Sequence, residues 1–142
     1  MYITQALKRN VQLFPDKTST AYMDRTFTWK ESLDRISKIA FSIKEIGIAV
    51  GDRVAILAHN SDRYFEFLYS TSWAGAVFVP INTRLAPPEI EFWINDSESK
   101  IIFVDKNFSE IIKNLYKENR IPTVKNIIYI FKKGSCFSSA CV

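Results

Sequence analysis

Gly47-Ile48-Ala49-Val50-Gly51-Asp52-Arg53-Val54-Ala55-Ile56-Leu57-Ala58-His59-Asn60-Ser61, continued by Trp73-Ala74-Gly75-Ala76-Val77-Phe78-Val79-Pro80-Ile81-Asn82, decides the fold. It reads as a glycine turn, a buried strand, a helix cap, a helix, a glycine stop and a second buried strand. The apolar runs Arg53–Ala58 and Ala76–Ile81 do not alternate with polar residues, which suits strands covered on both faces of a parallel sheet. Two further runs, Lys100–Val104 and Asn126–Phe131, have the same character, and the four starts lie 23, 24 and 26 residues apart. That spacing holds a strand, a loop and a crossover helix each time. Ser61 is placed to cap a helix carrying Tyr64, Phe65, Leu68 and Trp73, which Gly75 ends. Pro87-Pro88 opens a second helix with Ile90, Trp93 and Ile94 on one side, because proline's missing donor is harmless in a first turn. Asn107 and Glu110 cap a third, with Ile111, Ile112 and Leu115 inward. The fold class is α/β, an open doubly wound parallel sheet with crossover helices.

Upstream, Tyr2–Phe14 carries Ile3, Ala6, Leu7, Val11 and Phe14 at helical spacing, and Pro15-Asp16 stops it. Ser19–Met23 and Thr26–Thr28 flank Asp24-Arg25 as a short hairpin. Thr28-Trp29-Lys30-Glu31 is a capping box, in which each end's side chain satisfies a backbone donor that would otherwise lack a partner. The helix it opens places Trp29, Leu33, Ile36, Ile39, Ala40, Ile43 and Ile46 at spacings of three and four, up to Gly47. Downstream, Lys132–Val142 has no periodicity. The expected organisation is a folded portion over 1–131, an N-terminal helix and hairpin followed by the sheet, and an irregular tail over 132–142.

A chain of 142 residues with 47% hydrophobic and 14% aromatic residues has ample material for a core. Residues 1–99 hold 11 Lys+Arg against 12 Asp+Glu, whereas residues 100–142 hold 8 against 3. Lys106, Lys113, Lys117 and Lys125 are scattered among apolar positions, the pattern of solvated helix faces rather than of a nucleic-acid surface. Tyr64, Phe65, Phe67, Tyr69 and Trp73 crowd one helix with no basic residues alternating among them, so base stacking is not indicated. A helix apolar nearly all round is expected to lie buried between layers. Cys136 and Cys141 form neither a zinc pattern nor a disulfide framework, and residues 1–135 hold no cysteine, as a reducing compartment allows. Met1–Phe14 contains Gln5, Lys8, Arg9, Asn10 and Gln12 and lacks the apolar core of a signal peptide. No stretch approaches the roughly 20 apolar residues of a membrane span. A cytoplasmic protein with no transmembrane segment and no nucleic-acid partner is expected.

Phosphate chemistry needs backbone N–H groups facing an anion and a lysine nearby. The four glycines form no Gly-x-Gly or Gly-Lys-Ser/Thr run. Thr71-Ser72-Trp73-Ala74-Gly75 lies within helical periodicity and reads as core packing with a glycine stop. His59, the single histidine, follows the strand Arg53–Ala58, where open α/β sheets bind ligands. Asp62 and Glu66 fall in an ordinary helical start rather than partnering it, so local hydrogen bonding is the reading for His59. Arg84, in Asn82-Thr83-Arg84 after the next strand, has the fork that binds carboxylates or phosphates. The commoner fate of such an arginine is an ion pair or a loop anchor. Asp52-Arg53 is a turn leading into a strand. No catalytic, cofactor-binding or metal-binding residue is assigned.

The order and spacing of several fragments resemble the N-terminal part of the AMP-forming acyl-CoA synthetases, the adenylate-forming family that activates carboxylic acids with ATP. They are Thr26-Phe27-Thr28-Trp29-Lys30-Glu31, Gly51-Asp52-Arg53-Val54-Ala55-Ile56, Asn60-Ser61, Ala74-Gly75-Ala76-Val77, Val79-Pro80-Ile81-Asn82 with Arg84-Leu85, and Pro88-Glu89-Ile90. Asp96-Ser97 and Ile101-Ile102-Phe103-Val104-Asp105 continue the series. The resemblance implies that residues 1–131 are a scaffold portion of a larger adenylate-forming domain, a fatty-acid–CoA ligase-like protein. It also implies ATP, Mg and CoA as cofactors of the full-length family, a carboxylic acid substrate, and the remainder of the synthetase domain as partner. The Ser/Thr/Gly-rich ATP loop and the catalytic lysine of that family match nothing here, so this portion alone is expected to bind no cofactor and to be inactive. A second reading is a stand-alone, non-catalytic α/β binding or interaction module. If the chain is a severed piece, the final strand and one face of the helix Ser61–Trp73 are expected to be exposed.

Overall fold

The computed structural model describes residues 3–130 and 138–139. The chain folds as two compact units, Met1–Val50 with Asn60–Ala76, and Gly51–His59 with Val77–Val142.

The first unit holds three helices and a hairpin. Helix α1 spans Ile3–Leu13, strands β1 and β2 span Thr18–Tyr22 and Arg25–Thr28, and helices α2 and α3 span Trp29–Glu45 and Asp62–Trp73. β1 and β2 pair antiparallel, with Tyr22 opposite Arg25. The tight connection is therefore Met23-Asp24 rather than Asp24-Arg25. Met23 takes the left-handed conformation at φ 53°, which leaves Arg25 free to stand in the strand. The capping box forms in full: Thr28 Oγ1 accepts from the Glu31 N–H, and Glu31 Oε2 accepts from the Thr28 N–H. Buried Leu7 of α1, Ile36, Ile39, Ala40 and Ile43 of α2, and Phe67 of α3 make this unit's core. At 4.9 Å, the Lys8 ammonium lies over the Trp73 ring.

The second unit is built on a sheet. Strands β3 (Arg53–Leu57), β4 (Val77–Pro80), β5 (Ile101–Asp105), β6 (Asn126–Ile130) and β7 (Ser138–Ser139) lie in the order β4-β3-β5-β6-β7. The first four are mutually parallel. Helix α4 spans Pro87–Asp96, and a 3-10 turn over Lys106–Phe108 leads into helix α5, Ser109–Lys117. One core cluster joins Ala55, Leu57, Ile102, Val104 and Ile127 of the strands to Ile90 and Ile94 of α4 and Ile112 and Leu115 of α5. On the alternate strand positions Val54, Ile56, Ile101 and Phe103 are fully buried as well. β3, β5 and β6 are buried on both faces and have no polar side to alternate with, which is why their runs read as continuous; the run of β4 is as apolar but largely exposed.

Three details depart from the reading of the sequence. Trp93 does not share the burial of Ile90 and Ile94 but stays 47% exposed. The start of the α5 region is capped by Asp105, whose Oδ1 accepts from the Asn107 N–H, while Glu110 instead pairs with Lys113 on the surface. The final parallel strand, β6, is interior, lying between β5 and the antiparallel β7. Apart from Ser138–Ser139, the tail over 132–142 lies outside the described residues, and so do Cys136 and Cys141.

Candidate functional site

Open α/β sheets bind ligands where the strand order reverses, because loops leaving two neighbouring strands turn in opposite directions and leave a crevice. In the second unit that place is the carboxyl ends of β3 and β5. Chain leaving β3 passes to β4 on one side, while β5 adds on the other. His59 follows β3, and Asp105 closes β5.

Asp105 fills this crevice. Its Oδ2 accepts from the His59 backbone N–H at 2.9 Å and its Oδ1 from the Asn107 N–H at 2.8 Å. The exposed His59 ring lies against Phe108, centroids 5.2 Å apart. A phosphate bound here would need those two N–H groups and would meet a carboxylate already holding them. The switch point is thus braced by an internal carboxylate that already holds both N–H groups. Among the described residues no three His, Cys, Asp or Glu side chains gather closely enough to hold a metal ion. His59 makes a corner hydrogen bond through its backbone.

Arg84 is exposed beyond β4, and its backbone N–H donates to Asn82 Oδ1 at 3.0 Å, closing the loop. Its guanidinium has no carboxylate partner among the described residues. Asp52 and Arg53 work as pins at the opposite end of the sheet. Lys100 Nζ lies 2.6 Å from Asp52 Oδ1, and Arg53 Nε donates to the Ser97 carbonyl at 2.8 Å. Thr71–Gly75 is the last turn of α3: the Ala76 N–H reaches the Thr71 carbonyl and the Gly75 N–H the Ser72 carbonyl. Those bonds close a helix and leave no loop of free donors for an anion.

Within the first unit lies a charged cluster that reading the sequence missed. The buried stripe of α3 is Asp62, Glu66 and Ser70, four residues apart, with Phe67 and Thr71 beside it. The crowded aromatics Tyr64, Phe65, Tyr69 and Trp73 are only half-buried on its flanks. This reverses the expectation of an apolar helix sunk between layers. The physical reason is the arginines. Arg25 of β2 grips Asp62 with both fork positions, Nε to Oδ2 at 2.9 Å and Nη2 to Oδ1 at 2.7 Å. Arg35 of α2 pairs with Glu66 through Nε and, at 3.1 Å, Nη2, while Arg63 Nη1 adds a third hydrogen bond at 2.9 Å. Burial pushes the Glu66 carboxyl up, against the hydrogen bonds from Arg35 that pull it down. The i, i+4, i+8 spacing of polar residues was the available signal. The cluster joins hairpin, α2 and α3, and both its carboxylates are fully engaged by guanidiniums, so its chemistry is structural.

A family model described as AMP-binding enzyme matches residues 7–139. The peroxisomal butyrate–CoA ligase of Arabidopsis thaliana is 37% identical over 120 residues, covering 84% of this chain and 21% of that protein. A fatty acyl CoA synthetase of Mycobacterium tuberculosis superposes with a TM-score of 0.84 at 31% identity, covering 91% of this chain and 26% of that one. The inhibitor-bound N-terminal domain of FACL13 from the same organism gives the same TM-score and identity, and there the chain covers 33% of the solved domain. The chain spans about a fifth of the length of the curated relatives it matches.

Proposed function

The chain belongs to the AMP-binding enzyme family, and on that premise we propose that it forms the N-terminal scaffold portion of an acid–CoA ligase. The ligase would activate a carboxylic acid, of the fatty class, with ATP through an acyl-adenylate and pass the acyl group to CoA. The observation that carries this reading is a family match over nearly the whole described chain that nonetheless accounts for only a third of a relative's N-terminal domain. In this proposal residues 1–131 are the partial domain and the remaining domain is its obligatory partner. ATP, magnesium and CoA are handled by that remainder. The braced switch point supports this division, since the crevice where an α/β sheet would take a nucleotide is occupied by Asp105. This chain alone is inactive. We place the protein in the cytoplasm, which the absence of cysteine before residue 136 supports, and which microscopy of a tagged chain checks. No helix among the described residues is long and apolar enough to cross a membrane.

The test of inactivity is pyrophosphate release by the purified chain given ATP, magnesium, CoA and a panel of aliphatic and aromatic acids. Release no faster than without protein is expected. Sustained acid-dependent release that is lost in Asp105→Ala would overturn the division and locate chemistry at the switch point.

A further inference from the structure

The sheet has one open edge among the described residues. β6 carries β7 on its outer side, but β4 pairs with β3 alone. Within β4 the Val77 N–H donates to the Asp52 carbonyl, and the Ile81 N–H beyond it to the Ile56 carbonyl. Odd positions therefore face β3, and Phe78 and Pro80 turn their backbones outward. Pro80 has no N–H, so of these two only Phe78 offers a donor, and a strand added here would lose a ladder bond.

Side chains along this edge are apolar and uncovered. Val77 is 48% exposed, Phe78 38% and Trp93 47%. Helix phase locates Trp93. Ile90 and Ile94 point inward, while Glu91 and Asn95 reach Arg120 just beyond α5, marking the α5 side of α4. At about 100° per residue, Trp93 falls about 60° to the other side of Ile90, toward β4. It lies in the last turn of α4, at the sheet end where β5 begins and where Val77 begins β4. Val79 packs into the α4 core cluster, and Val77, two residues before it, shares that face.

We propose that this Val77–Trp93 edge is a docking seam for the remaining part of an AMP-binding domain, which packs on it through apolar side chains rather than by adding a strand. The occupant follows from size. A relative's N-terminal domain contains about three times the chain matched here at a TM-score of 0.84. Its other two thirds must fold against this third, and they need an apolar face on it. Large exposed apolar patches mark missing partners, and the ladder bond missing at Pro80 disfavours the strand-addition alternative. The seam rests on the reading of the chain as the N-terminal portion of such a domain.

The experiment replaces the matched third of the FACL13 N-terminal domain with this chain, Cys136 and Cys141 changed to Ser in both chain and chimera, and a single thiol introduced by Trp93→Cys. The thiol should label rapidly in the chain alone and at least about tenfold more slowly in the chimera, because a thiol under packed side chains reacts only when they open. Phe41→Cys, on the exposed face of α2, should label equally in both. A cooperatively folding chimera in which position 93 still labels rapidly overturns the seam and leaves the proposed function standing. A chimera that does not fold counts against that function and the seam with it. Labelling of the isolated chain that slows as its concentration rises makes a second copy the occupant and also overturns the proposal.

Discussion

Glu66 receives three hydrogen bonds from two guanidiniums, yet its carboxyl is raised, because burial disfavours the charge more than Arg35 restores it. The sign of the linkage follows. With the folded value above the ordinary 4.5, the folded chain binds more protons than the unfolded chain between the two values. Stability contributed at this site is therefore present at acid pH and falls as pH rises through that window. Glu66→Gln removes the titration, so its stability relative to the unsubstituted chain should increase from about pH 4.5 upward, read from urea unfolding at a series of pH values. A slope of opposite sign would mean that the guanidiniums outweigh burial. Asp62 is the simpler case. Its side chain is 1% exposed and its fork-to-fork partner is Arg25. Arg25→Ala strands a buried carboxylate, softened by its place in the first turn of α3, and should cost about 2–3 kcal/mol in urea unfolding. A loss below about 0.5 kcal/mol would show that the pair behaves like a surface ion pair. Neither role was legible in the sequence, where Asp62 and Glu66 look like a routine acidic helix start. Their partners stand 37 and 31 residues away, and no local pattern announces a long-range pair.

Elements were far more legible, and the reason is that their signals are local. The capping box, the Ser61 cap and the continuous strand runs each satisfy backbone donors or match a burial pattern within a few residues. All describe what formed. Failures cluster where a local signal has two solutions. Asp24-Arg25 and Met23-Asp24 both suit a turn, and the recruitment of Arg25 by Asp62 decides between them. Asn107 and Asp105 both suit a cap, and Asp105 wins because the same carboxylate also takes the His59 N–H. α4 ends with Glu98 at φ 49° in the position where α3 has Gly75 at φ 84°, so glycine spacing alone understates the number of helix stops. Gly75 is also confined: a Cβ there would sit 3.1 Å from Val50 Cγ2. Gly75→Ala combines left-handed backbone strain with that approach and should lower stability by about 1–2 kcal/mol. Calorimetry of the variant checks it. An unchanged transition would mean that the end of α3 relaxes into another cap.

At the scale of the whole molecule, the sheet order β4-β3-β5-β6 follows from four apolar runs and their crossovers only up to permutation. The sequence specifies parallel neighbours but not which strand ends at the edge. The expectation of an exposed final strand fails for that reason, since among the described residues β6 is interior and β4 carries the open side. One residue was already a clue. Proline in a buried parallel run is tolerated where its missing N–H faces away from the ladder, and Pro80 meets that condition. An open edge is a template for pairing between copies, and proline is one of the devices that blunt it. Pro80→Val restores an outward N–H beside that of Phe78 and adds a β-branched residue suited to a strand. The variant should self-associate at concentrations where the unsubstituted chain does not, seen as a larger species in sedimentation velocity and as growth of the sheet signal in circular dichroism. Phe41→Ser, which alters an exposed apolar residue away from the edge, should leave association unchanged. If Pro80→Val sediments as the unsubstituted chain does, the edge is protected by something other than its proline. If Phe41→Ser abolishes association, the contact runs through helix α2 rather than through β4.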